Sequence, residues 1–133
     1  MKETNMWRKL DPHLSRIGKF QKICDRFTGG IPDILGARTG DGRGVALELK
    51  ELDGVKLVKA RYRPGQLDWL EDWSSTGAIA LVVATWRREW MAFEFEEAEK
   101  LEEGLPPDQL QPVWRRPAEK LIGLRFSQFI MDF

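Results

Sequence analysis

The run Ala-Ile-Ala-Leu-Val-Val-Ala at positions 78–84 limits the fold more than any other stretch of the chain. A strand turns successive side chains to opposite faces, so a β-rich segment without a polar residue needs cover on both sides. It reads as the central strand of a sheet with helices packed over it. A chain of 133 residues is the size of one ordinary domain with one core, and a single domain is expected.

The neighbouring segments extend this pattern. "KETNMWRKL" places Met6, Trp7 and Leu10 at helical spacing, which predicts a short first helix ended by Asp11-Pro12. Residues 13 to 28, with Ile17, Phe20, Ile23 and Phe27, fit either an extended piece or a helical turn. "IPDILGA" and "GVALELK" read as two strands of a hairpin, joined by Thr39-Gly40-Asp41-Gly42-Arg43, whose glycines supply positive φ. A basic loop over residues 51–63 follows. Pro64 then opens a helix whose apolar face carries Leu67, Trp69, Leu70 and Trp73 and which Gly77 stops. "EWMAFEF" suits a strand with one face less buried, and "EEAEKLEE" a helix broken by Pro106-Pro107. In the tail, Leu121, Ile122, Phe126, Phe129 and Ile130 imply packing on something. The elements together predict a mixed α/β sheet flanked by helices.

Composition removes several kinds of chemistry. No apolar run approaches bilayer length, and "MKETNMWRKL" lacks the apolar segment of a secretory signal, so a cytoplasmic protein is expected. One cysteine, Cys24, excludes an internal disulfide and a multi-cysteine zinc cage, and one histidine, His13, excludes most histidine-based metal sites. Catalysis must therefore draw on carboxylates, lysines or hydroxyls. The net charge is zero but unevenly spread: residues 1–27 carry seven Lys/Arg against three Asp/Glu, and residues 67–112 carry three against eleven. Gly40, Gly42 and Gly44 join two strands and lack the lysine and hydroxyl of a phosphate-binding loop, so they read as a hairpin turn.

Charged residues inside the hairpin are the anomaly. Period-two geometry puts Glu48 and Lys50 on one face of their strand, with Val45, Leu47 and Leu49 on the other. A hairpin centred between Asp41 and Gly42 sets Asp33 opposite Lys50 and makes it a diagonal neighbour of Glu48. Two carboxylates held that close repel unless a cation sits between them. Magnesium suits such a place, since it takes oxygen ligands and is typically held by one or two carboxylates plus a phosphate. Asp33, Glu48 and the carbonyl of Leu49 offer a partial shell, and Lys50 is placed to orient water or neutralise charge on a phosphate.

Pro32-Asp33 followed by Glu48-Leu49-Lys50 resembles the "PD" and "ExK" of the PD-(D/E)XK nuclease superfamily. Within it the chain is most similar to the VRR-Nuc branch, in particular small stand-alone phage and bacterial members that look like Holliday junction resolvases. "KETNMW", "GGIPDIL", "VALELK" and "PGQLDWL" carry the likeness, over about residues 1–95. The resemblance implies a restriction-endonuclease-like fold. It also implies that Glu3, on the first helix, joins the metal site, and that Gln66 orients Lys50 or the water. The family often has a glutamate soon after an Arg-Ile pair, whereas Gly18 follows Arg16-Ile17 here. Residues 96–133 have no counterpart in the resemblance and are expected to pack on the core or form an oligomer interface.

The resulting expectation is a Mg²⁺-dependent DNA endonuclease, with Mn²⁺ as a substitute ion, selective for branched or Holliday junction DNA and working in a bacterial or phage-infected cell. Arg16, Lys19, Lys22, Lys56, Lys59, Arg61 and Arg63 would contact phosphates. Symmetric cutting of a junction implies a homodimer. A non-catalytic DNA-binding or assembly protein on the same fold is the alternative, and the retained Asp33, Glu48 and Lys50 count against it. Small-molecule phosphoryl chemistry lacks a nucleotide cradle.

Overall fold

The computed structural model describes residues 1–24 and 30–133. Phe27, and Gly29 of the "GGIPDIL" motif, lie outside the described residues. Six strands form one sheet in sequence order: β1 (Gly18–Lys22), β2 (Ile34–Arg38), β3 (Gly44–Glu51), β4 (Ile79–Trp86), β5 (Glu89–Phe93) and β6 (Trp114–Pro117). Among the described residues only β3 and β4 run parallel. That pair needs a crossover, and helix α2 (Gln66–Ser75) provides it. Every residue of β4 is buried, as its apolar run requires.

Helices α1 (Glu3–Leu14) and α4 (Ile122–Asp132) cover one face of the sheet, over Ile34, Val45, Leu47, Leu49, Leu81 and Val83. Helices α2 and α3 (Phe95–Lys100) cover the other, over Ala80, Val82, Ala84, Met91 and Phe93. The C-terminal residues complete this architecture. β6 extends the sheet beside β5, and Ile122, Phe126 and Ile130 share a core with Met6 and Leu10. Arg38 and Arg43, at the hairpin, clip the end of α4: Arg38 Nη1 donates to Ile130 O at 2.8 Å and Arg43 Nη1 to Phe133 O at 3.2 Å. Cations there meet the unsatisfied carbonyls of a helix end. Among the described residues no helix is long and apolar enough to cross a membrane.

Three local expectations are corrected. The first helix runs through Pro12 to Leu14, because Met6, Leu10 and Leu14 form a fully buried stripe whose packing outweighs the lost Pro12 hydrogen bond. "EWMAFEF" is a strand only to Phe93, and Trp90 to Phe93 are all buried because helices lie on both sides. The β2–β3 pairing is displaced from the expected register: Ile34 faces Leu47 and Ala37 faces Gly44. The cause is the loop chemistry. Asp41 accepts the Arg43 amide at 3.0 Å and the Arg38 guanidinium at 2.7 Å, which closes the turn one residue earlier. The pairing moves by two residues, so every side chain keeps its face.

Candidate active site

The candidate site lies where β3 ends and α2 begins. Glu48 and Lys50 point to the α2 face, and both are buried, at 1% and 7% exposure. Isolated charges are costly there, so each must find a partner. Gln66, the first residue of α2 and 4% exposed, partners both. Its Nε2 donates to Glu48 Oε1 at 2.8 Å, and its Oε1 accepts from Lys50 Nζ at 2.9 Å and from the Arg63 amide at 2.8 Å. Lys50 Nζ is 3.8 Å from Glu48 Oε1, so the amide bridges an ion pair too long for a direct hydrogen bond.

Asp33 completes the face. Continued one residue beyond its last pair, Ile34 with Leu47, the observed register points Asp33 at Glu48 in place of Lys50. Leu52 N donates to Thr85 O, so even-numbered residues of β3 direct their backbone groups at β4 and odd-numbered ones at the β2 side. The β2 ladder stops at Ile34, and Leu49 therefore extends past its last rung. Asp33 Oδ2 takes the Leu49 N–H at 2.8 Å, which leaves the Leu49 carbonyl aimed in the same direction.

Electrostatics mark the carboxylates as strained neighbours. Glu48 is pushed up to about 9, first by burial and then by Asp33, against the pull of Lys50. Its Oε2 is buried with no hydrogen-bond partner among the described residues. Glu3 stands exposed at the start of α1, its carboxyl raised by partial burial and by Asp33. A cleft of ≈ 330 Å³ runs beside it, lined by Lys2, Glu3, Thr4, Lys50, Glu51, Asp53 and Arg61. Among the described residues no three His, Cys, Asp or Glu side chains are gathered as a ready metal cage. The donor set is two facing carboxylates and one backbone carbonyl, with Glu3 nearby.

The structure thus brings together Asp33, Glu48, Leu49, Lys50 and Gln66, and sets Glu3 at the mouth. The expected phosphate contacts are more dispersed. Arg61 lines the cleft, Arg63 is near enough to Glu3 to act on its carboxyl, and Lys22, opposite Ile34, lies toward the Asp33 end of its strand. Lys19 faces Ala37, toward the hairpin turn, and Arg16 sits in the turn before β1. Lys56 is exposed in the loop after β3, and Lys59 lays its stem along Gly104. Two contributions were not foreseen from the sequence: the Arg63 amide, and Tyr62, whose ring centroid is 5.4 Å from Lys50 Nζ. The Pro64-Gly65 bend was visible, but not which side chains it gathers.

No model of a known protein family matches the chain, and no curated protein matches it. Among solved structures it is similar to the 1.6 Å structure of Hjc, a Holliday junction resolvase from the archaeal hyperthermophile Archaeoglobus fulgidus. The TM-score is 0.53 and 18% of residues are identical, over 81% of this chain and 88% of that one. The likeness is one of fold, a mixed six-stranded sheet flanked by helices.

Proposed function

We propose that this protein is a divalent-metal-dependent endonuclease of the PD-(D/E)XK type that cuts the phosphodiester backbone of branched DNA. The observation that carries the reading is the Gln66 bridge between buried Glu48 and Lys50, with Asp33 held on the Leu49 amide between them in sequence. A merely structural ion pair gains nothing from a second carboxylate beside it. The likeness in fold to a Holliday junction resolvase supports branched DNA as the substrate. The resemblance carried by "KETNMW", "GGIPDIL", "VALELK" and "PGQLDWL" favours the VRR-Nuc branch, and with it a phage or bacterial cytoplasmic setting.

The orphaned Glu48 Oε2 and the oxygen-only donor set fit a hard divalent cation, magnesium or manganese. Asp33, Glu48 and the Leu49 carbonyl would hold it, with Glu3 adding charge from across the cleft. Such an ion, when bound, supplies positive charge to a phosphate and acidifies water. Lys50 offers an ammonium to the charge that develops on the phosphate, already oriented and partly desolvated. Gln66 holds that ammonium and the Glu48 carboxylate at fixed separation. Arg61 and Arg63 border the site, while Arg16, Lys19, Lys22, Lys56 and Lys59 would extend phosphate contacts over a longer duplex. Residues 1–95 would carry the nuclease core and residues 96–133 an extension that braces it. Paired cuts across a junction would take a homodimer.

Cleavage of labelled four-way junction, flap, nicked and linear duplex DNA, with Mg²⁺ or with EDTA, tests the reading. Junction cutting that EDTA abolishes is expected. Absence of cutting on every substrate with either Mg²⁺ or Mn²⁺ overturns it.

A further inference from the structure

Tyr62 lies outside the motifs of the site, yet its ring is against the Lys50 ammonium, 5.4 Å from Nζ to the ring centroid. Its hydroxyl donates to Ala98 O of α3 at 2.7 Å, which hangs the ring on the helix after β5. Pro64 has a fixed φ and Gly65 a φ of 88°, and the bend lets Tyr62 and Gln66, four residues apart, address one ammonium. A lysine stem has four rotatable carbons, and one hydrogen bond to Gln66 sets a distance without setting a direction. The ring face supplies the second constraint, since an aromatic face attracts a cation most strongly where water is excluded.

We propose that Tyr62 is the positioning residue for Lys50, holding its ammonium against Gln66 and coupling it to α3. The catalytic consequence rests on the nuclease reading; the placement of the lysine does not. This assigns the segment after residue 95 a function at the site, because α3 carries the acceptor that fixes the ring.

Two measurements test the proposal. With saturating Mg²⁺ and junction DNA, Tyr62→Leu is expected to lower the single-turnover cleavage rate roughly tenfold, with the Kd for DNA unchanged, and Tyr62→Phe, which keeps the ring but loses its tie to Ala98 O, to recover only part of that loss. In a Lys50→Met background, Tyr62→Leu is expected to cost less than about twofold more, as for two residues acting through one group. A wild-type rate in Tyr62→Leu or in Tyr62→Phe, no recovery in Tyr62→Phe, or a full additional tenfold loss in the Lys50→Met background overturns the proposal. The second measurement needs no cleavage. In the metal-free protein, NMR should show the Lys50 ε-methylene protons shifted upfield by the ring in the wild type, and less so in Tyr62→Phe. Random-coil shifts in the wild type overturn the placement, whereas failure of the wild type to cut any DNA overturns the nuclease reading alone.

Discussion

The side-chain oxygen of Gln66 lies 2.9 Å from the ammonium of Lys50, on the first turn of a helix that follows the lysine's strand. The same amide donates to Glu48 Oε1, so one neutral residue is hydrogen-bonded to both buried side chains. Replacing it with leucine removes the hydrogen bond of the Lys50 ammonium and that of the Glu48 carboxyl. Gln66→Leu is expected to destabilise the protein by about 2–4 kcal/mol, the cost of leaving a buried ammonium and a buried carboxyl without their hydrogen bonds. Chemical denaturation checks this.

Lys50→Met keeps an apolar stem of similar length but removes the ammonium. A loss of at least about a hundredfold in single-turnover cleavage is expected, and excess Mg²⁺ should not restore it, as for removal of one preorganised electrostatic group. Recovery at high Mg²⁺ would show Lys50 to be only a counter-ion of the carboxylates.

Glu48 carries the pH dependence of the metal-free protein. Its carboxyl is raised from 4.5 to about 9 in the folded state, so the folded chain holds a proton that the unfolded chain has released. Stability from this group is complete below the unfolded value and is lost as pH rises through the window up to about 9. In EDTA, Tm should fall across that window, and Glu48→Gln should flatten the fall. Mg²⁺ should protect most at the alkaline end, where the carboxylate is already free of its proton.

Asp33→Asn keeps an oxygen for the Leu49 amide and removes charge. It is expected to abolish cleavage and weaken Mg²⁺ binding by calorimetry, with the Kd for DNA unchanged or lower. Full activity would remove Asp33 from the metal site.

Glu3 is exposed at the start of α1, outside the buried stripe of that helix. Glu3→Gln should therefore slow cleavage while moving Tm little. Unchanged turnover would confine Glu3 to the solvent.

Gly30 and Gly65 bring the approach to β2 against the start of α2. A Cβ on Gly30 would stand 2.7 Å from the Gly65 carbonyl carbon, at a φ of 95°. Gly30→Ala is expected to cost about 1–3 kcal/mol, from the left-handed backbone and the clash together. Thermal unfolding measures it, and an unchanged Tm would mean that the two loops separate freely.

Alternation along β3, set by covalent geometry, was enough to place Glu48 and Lys50 on one face and Leu47 and Leu49 on the other. The apolar run 78–84 likewise specified a central strand, because no other position hides both of its faces. These features are local, and the sequence alone determined them. Pairing register was not legible from alternation: Asp41 closes the turn on Arg38 and Arg43, and both arginines are held in turn by the Ile130 and Phe133 carbonyls at the end of α4. Packing against the sheet and α4 carried α1 through Pro12, against the local signal to stop. Burial of Lys50, the raised Glu48 carboxyl and the ring of Tyr62 beneath the ammonium arise where segments distant in sequence close over β3. Solvent exclusion belongs to the assembled layers, so only the tertiary structure decided how strongly those charges interact.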